Sequence, residues 1–258
     1  RLYSDTGATT LVWEGAVAQS TSQTLTVNAR VQEILAFCVG ATSVDDATTS
    51  PGAACANISG TDVDLGVVES SAISVTPVAN VSGGDNENGI AMIRTNAVNG
   101  AVIDYKAVQE TSSGQLKVAT ATCSGTTVTD QCFNSQGTTQ GTFTAGTENF
   151  GMTVAGVNCG SVGVSSYTCV YASGSSNLKP DAAYQGAGTF GSSYSYGTTN
   201  GFAWDDTGAA DRIASSAGST VKVIDDEALI LKFAATAGIT TPTGQYTVQA
   251  DFIATPTF

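Results

Sequence analysis

"TLTVNARVQ", residues 24–32, alternates strictly between apolar and polar positions. Leu25, Val27, Ala29 and Val31 hold one parity; Thr26, Asn28, Arg30 and Gln32 hold the other. Successive side chains of a strand point to opposite faces, so this alternation predicts a strand with one apolar face. "EILAFCV" (33–39) continues it as a more buried run. The same pattern closes the chain. In "QYTVQADFIATPTF" (245–258), Tyr246, Val248, Ala250, Phe252 and Ala254 alternate with Thr247, Gln249 and Asp251.

Between these ends the chain reads as further short strands. "VDLGVV" (63–68), "AISVTPV" (72–78), "IAMIRTNA" (90–97), "AVIDYKAV" (101–108) and "QLKVATATC" (115–123) come first. Pro77 confines the second to a strand end or an edge. Asn99-Gly100 signals a hairpin between 90–97 and 101–108. From about 124 to 220 the chain is rich in Gly, Ser and Thr, with strand candidates at "GTFTA", "FGMTVAGV", "SSYTCVYA" and "GFAW". "DDTGAADRIASS" (205–216) has room for one short helix. "TVKVI" then leads through a "DDE" turn (225–227) to "ALILKFAAT" (228–236). Short connections favour antiparallel pairing, and a β-sandwich is the natural closure. The expectation is an all-β, antiparallel sandwich with long disulfide-tied loops. Either one elaborated sandwich fills 24–258, or two lobes meet near 185–201.

Composition narrows the function. The 258 residues suffice for a sizeable core, and 41% are hydrophobic, so the 12% charged content does not signal disorder. With 9 basic and 22 acidic residues the net charge is −13, which repels nucleic acid and anionic lipid. Histidine is absent. That excludes Ser-His-Asp and Cys-His catalysis and His-ligated zinc or iron. No run of about 18 apolar residues exists, so no membrane-spanning helix is expected. "RLYSDTGATT" lacks the apolar centre of a signal peptide, and the numbering is expected to be that of a processed chain.

The six cysteines fall as Cys38 and Cys55, Cys123 and Cys132, Cys159 and Cys169. Sequence leaves 15 connectivities open. Sequential pairing is favoured because each pair closes a short loop between strand-like runs. No C-x-x-C spacing suggests a thiolate metal site. Disulfides point to an oxidising, extracellular or cell-surface setting.

Two stretches carry a resemblance. "LTVNARVQEILAFCVG", followed by "VDLG", resembles the opening of archaic chaperone–usher pilins and of the related spore coat protein U domains. "PTGQYTVQADFIATPTF" resembles their closing strand, after a Gly-x-Tyr turn. The likeness covers the two chain ends, about a quarter of the sequence; the middle, 80–220, and the cysteine spacing depart from it. It implies an incomplete immunoglobulin-like sandwich whose groove is filled by a neighbour's N-terminal extension. The partners it implies are other copies of the chain and a periplasmic chaperone.

"TLVWEGAV" (10–17) is then a candidate donor strand, with Leu11, Trp13, Gly15 and Val17 on one face, "AQSTSQ" as linker and 1–23 as the extension. Its other readings are the first strand of its own sandwich and a disordered tail. "GGDNENG" (83–89) concentrates oxygen donors at Asp85, Asn86, Glu87 and Asn88, a candidate Ca²⁺ loop whose other reading is a solvated turn. No other cofactor is expected. Asn57 and Asn80 head N-glycosylation sequons. Phe190, Tyr194, Tyr196, Phe202 and Trp204 read as packing under loops before they read as a glycan-binding patch. The expected role is not enzymatic. It is the subunit of an extracellular filament or pilus, with adhesive or coating work. The alternatives are a monomeric module binding surface glycans or Ca²⁺, and a secreted glycosidase using two carboxylates.

Overall fold

A computed structural model describes residues 2–41, 55, 56, 58–76, 88–109, 113–123, 131–157, 177–185 and 201–258. The chain divides into two compact units, Arg1–Gln32 and Glu33–Phe258.

The first unit holds one hairpin. Strand β1 (Leu2–Tyr3) pairs antiparallel with β2 (Leu11–Trp13). The turn between them is built on Asp5, whose carboxylate accepts from the Thr9 and Thr10 amides at 2.8 and 3.1 Å. The rest of the unit, 14–32, forms no strand. This corrects the reading of 24–32 as a paired strand of the body. Alternation records that one face suits burial, but a strand also needs a neighbour for its amides and carbonyls, and here that stretch has no ladder.

The second unit is all-β, and every pairing of its strands is antiparallel. One sheet runs β3 (Leu35–Gly40), β5 (Gly89–Thr95), β13 (Ile224–Thr236), β9 (Asn149–Val157), β11 (Phe202–Trp204), β8 (Gly137–Gly141). Strand β4 (Ser74–Val75) joins it at the end of β13. The other sheet runs β10 (Lys179–Pro180), β12 (Asp211–Ser215), β6 (Ala101–Ala107), β15 (Ala250–Pro256). A small pair, β7 (Lys117–Val118) with β14 (Tyr246–Thr247), lies apart.

The inner faces of the two large sheets share one apolar cluster. Ala91 and Ile93 of β5, Met152 and Val154 of β9 and Leu229 and Leu231 of β13 meet Ile103 and Tyr105 of β6 and Ile213 of β12. Tyr105 lies between Trp204, at a centroid distance of 5.1 Å, and Tyr184, at 5.5 Å edge-on. The larger sheet is also covered on its outer side. Ile90, Met92, Ala228 and Ile230 pack with Cys38 and Ile58, and Ala234 packs with Phe143, Phe202, Ile73 and Val75. Two buried faces explain why "ALILKFAAT" is almost continuously apolar.

Four local expectations change. The Asn99-Gly100 turn is present, with Gly100 at φ +91, but it carries the chain from one sheet to the other and makes no hairpin. Asn-Gly fixes a tight turn; the pairing of its flanks was decided by where their apolar faces found cover. Residues 211–215 form a strand, not a helix, because pairing with β6 buries Ile213 and Ala214. The "DDE" turn is a bulge inside one long strand. Asp226 takes φ +54, and Arg94 holds Asp225 and Asp226 at 3.3 and 3.5 Å while pairing resumes at Glu227↔Ile93. Residues 63–68 pair with nothing as a strand, although Leu65 and Val68 still pack on the shared core.

Candidate functional site

Two features are left open by this architecture, one in each unit. In the N-terminal unit, Leu25, Val27 and Val31 are 86, 82 and 81% exposed. Three branched apolar side chains of one parity therefore stand exposed on a stretch that has no ladder. Every residue of 14–32 is exposed, so this row is set apart by its apolar spacing alone. The hairpin before it also shows apolar side chains, Leu2, Leu11, Val12 and Trp13. The Trp13 ring folds over Gly15, where a Cβ would come within 2.1 Å of it. Leu11 and Trp13 stand in β2 with a strand partner, while Gly15 and Val17 stand in no strand. The Asp5 carboxyl is held below its usual value by the Thr9 hydroxyl and amide first, then by Thr10.

In the body, β3 and β15 are the end strands of the two sheets, each with a single strand neighbour among the described residues. They lie near one another, with β15 reaching both β3 and β5. On this side the core is less closed. Phe37 of β3 and Ala250, Phe252 and Ala254 of β15 pack on the central cluster yet remain half-buried, whereas Ile103 and Tyr105 on the adjoining β6 are fully buried. Phe252 is 6.3 Å from Tyr105, ring to ring, so the half-open row connects directly with the deepest part of the core. Exposed Leu35 and Val39 extend the apolar surface along β3.

Several buried polar groups of the body are bonded to one another. The Asp205 amide donates to the Tyr105 oxygen at 2.6 Å, the two tyrosine hydroxyls meet at 2.9 Å, and the Tyr184 hydroxyl donates to Asp211. With Tyr184 committed to Asp211, the Tyr105 proton points to Tyr184, giving a chain of donors that ends on a carboxylate. Burial pushes both phenols well above the usual tyrosine range, since an ionised phenolate there loses its solvation. Glu227 accepts the amides of Asn177 and Leu178 at 2.8 and 2.6 Å, tying β13 to the approach to β10. These groups join elements of the fold.

The remaining sequence candidates are placed as follows. Cys38 is bonded to Cys55 and Cys123 to Cys132; Cys159 and Cys169 lie outside the described residues. Asp85, Asn86 and Glu87 lie outside them too, and Asn88 is fully buried beside the start of β5. Asn57 and Asn80 are also outside. Phe202 and Trp204 are core residues of β11, while Phe190, Tyr194 and Tyr196 are not described. Among the described residues, no three His, Cys, Asp or Glu side chains are grouped as metal ligands, and no helix is long and apolar enough to cross a membrane. The residues that sequence reasoning assigned elsewhere are Leu25, Val27 and Val31. Their alternation was visible; that it lay outside the body was not.

Scans against known protein families, curated proteins and solved structures each returned no match.

Proposed function

We propose that this chain is the structural subunit of an extracellular filament or pilus, polymerising head-to-tail by donor-strand exchange, with an adhesive or surface-coating role. The body is then an immunoglobulin-like sandwich lacking one strand, and the N-terminal unit is the extension that supplies it to another copy. The observation that carries this reading is the exposed row Leu25, Val27 and Val31 on a stretch without a ladder. Of the two alternating stretches in that unit, 24–32 suits the donor role better than 10–17, because Leu11 and Trp13 already have a strand partner. Burying three such side chains is worth about 5–8 kcal/mol before ordering costs, and main-chain pairing adds specificity.

Donor stretch and acceptor body are different surfaces of one molecule. Such a contact does not close on itself in a pair; repeated, it makes a fibre. Disulfides fit the oxidising setting that an extracellular polymer occupies.

The test is sedimentation of the full chain and of Leu25→Asp/Val27→Asp. The wild-type chain is expected to pellet as polymer and the variant to stay in the supernatant. Because both positions are exposed, their replacement leaves subunit stability within about 0.5 kcal/mol. A variant that pellets as well as the wild type rules out this stretch as the donor.

A further inference from the structure

We infer that the body contains a one-electron oxidation site at Tyr184: a vacancy opened at Trp204 is passed through Tyr105 and comes to rest on Tyr184, whose phenolic proton goes to the Asp211 carboxylate. This stands independently of the filament reading.

Three oxidisable rings stand in a row. The centroids of Trp204 and Tyr105 are 5.1 Å apart, and those of Tyr105 and Tyr184 are 5.5 Å apart. All three side chains are fully buried in the shared core. The other rings against Trp204 are Phe150, at 4.9 Å, and Phe233, at 6.4 Å. A phenyl ring gives up an electron far less readily than an indole or a phenol, so the row has one direction open to it.

What separates the three rings is where their protons can go. An indole or phenol that has lost an electron is a strong acid, so a vacancy settles where a base already holds the proton. The Trp204 Nε1–H donates to the Gly114 carbonyl at 2.8 Å, and an amide oxygen is a poor proton acceptor. The Tyr105 hydroxyl donates to a neutral phenol, that of Tyr184, at 2.9 Å. Its oxygen also accepts the Asp205 amide at 2.6 Å, which draws electron density from the ring. Tyr184 alone of the three donates to a carboxylate, that of Asp211. Asp211 is half-buried at the start of β12, so a proton placed there can exchange with water.

The step balances with a diffusible one-electron oxidant, an inorganic radical or a photo-oxidant. The oxidant takes one electron from Trp204, Tyr105 refills Trp204, and Tyr184 refills Tyr105. The O–H bond of Tyr184 breaks, an O–H bond forms on Asp211, and Tyr184 is left as a neutral phenoxyl radical.

The experiment uses the full chain with Trp13→Phe, which leaves Trp204 as the remaining one of two tryptophans. The sample is irradiated with light that tryptophan absorbs and tyrosine does not, with a cobalt(III) ammine as electron acceptor. Radicals are followed by transient absorption and electron paramagnetic resonance. A tryptophan radical that gives way to a tyrosyl radical is expected. In Tyr184→Phe the tyrosyl signal should be lost and the tryptophan radical should persist. Asp211→Asn keeps both phenols, removes the base and should lose the tyrosyl signal too. Tyr246→Phe, a tyrosine whose hydroxyl donates to the Pro242 carbonyl, should leave the signal unchanged. The parent gives a reading that needs no variant of the row: formation of the tyrosyl radical should slow in heavy water, because the proton moves with the electron. An undiminished tyrosyl signal in Tyr184→Phe or in Asp211→Asn overturns the assignment. So does a parent that shows only the tryptophan radical, or one whose tyrosyl radical forms equally fast in heavy water.

Discussion

Tyr184 shows how a single group holds distant parts of this chain together. Its hydroxyl takes the proton of Tyr105 and gives its own to Asp211, joining β6, the 181–184 turn and β12. In Tyr184→Phe, a buried tyrosine hydroxyl loses its acceptor and a carboxylate loses its donor. The expected cost is about 1–3 kcal/mol, read as a lower urea midpoint with an unchanged slope. The same pair sets an alkaline limit. Both phenols titrate above the ordinary 10.0 in the folded chain. Below that pH neither state releases these protons, and the network contributes fully. Above it the unfolded chain releases them first, so stability falls as pH rises. Urea midpoints at about pH 9 and about pH 11 should differ in that direction, and the difference should shrink in the double phenylalanine variant. Glu227→Gln tests the second buried anchor. Two amides now meet a neutral acceptor at one oxygen only, and a loss of about 1–2 kcal/mol is expected.

At the scale of elements, the Cys123–Cys132 bond closes a short loop beside the Lys117↔Cys132 bridge. Replacing both cysteines by serine frees that loop in the unfolded chain and should cost about 2–3 kcal/mol of unfolding free energy, measured by denaturant titration. The strands themselves were legible to different degrees. β6 and β15 were readable because each has one buried face, and their sequences alternate accordingly. β13 was readable as apolar, but its start was not. Two aspartates look like a turn until Arg94, more than a hundred positions earlier, is seen to hold both carboxylates within the ladder. β12 was hidden for a similar reason. "DRIAS" has no strong local preference, and its pairing with β6 lies in contacts far apart in sequence. Residues 24–32 read as a strand of the body because their pattern is that of any half-buried strand. Periodicity reports an apolar face and is silent on whose core will cover it.

The whole molecule is acidic, at −13, and its copies repel one another. If they assemble end to end, growth works against that repulsion. Raising ionic strength from about 10 mM to about 150 mM shortens the screening length from about 30 Å to about 8 Å. Elongation followed by light scattering should therefore quicken with salt over that range. Assembly that slows instead would place opposite charges at the contact. The chain divides into a unit of residues 1–32 and an all-β body, and the proposed filament assigns donation to the first and reception to the second. The measurement that bears most directly on that claim is cryo-electron microscopy of the purified full-length chain at high concentration. Uniform filaments are expected, in which the Leu25–Val31 stretch of each subunit is a strand within its neighbour. Dispersed single molecules, or filaments in which that stretch pairs with its own body, would contradict it.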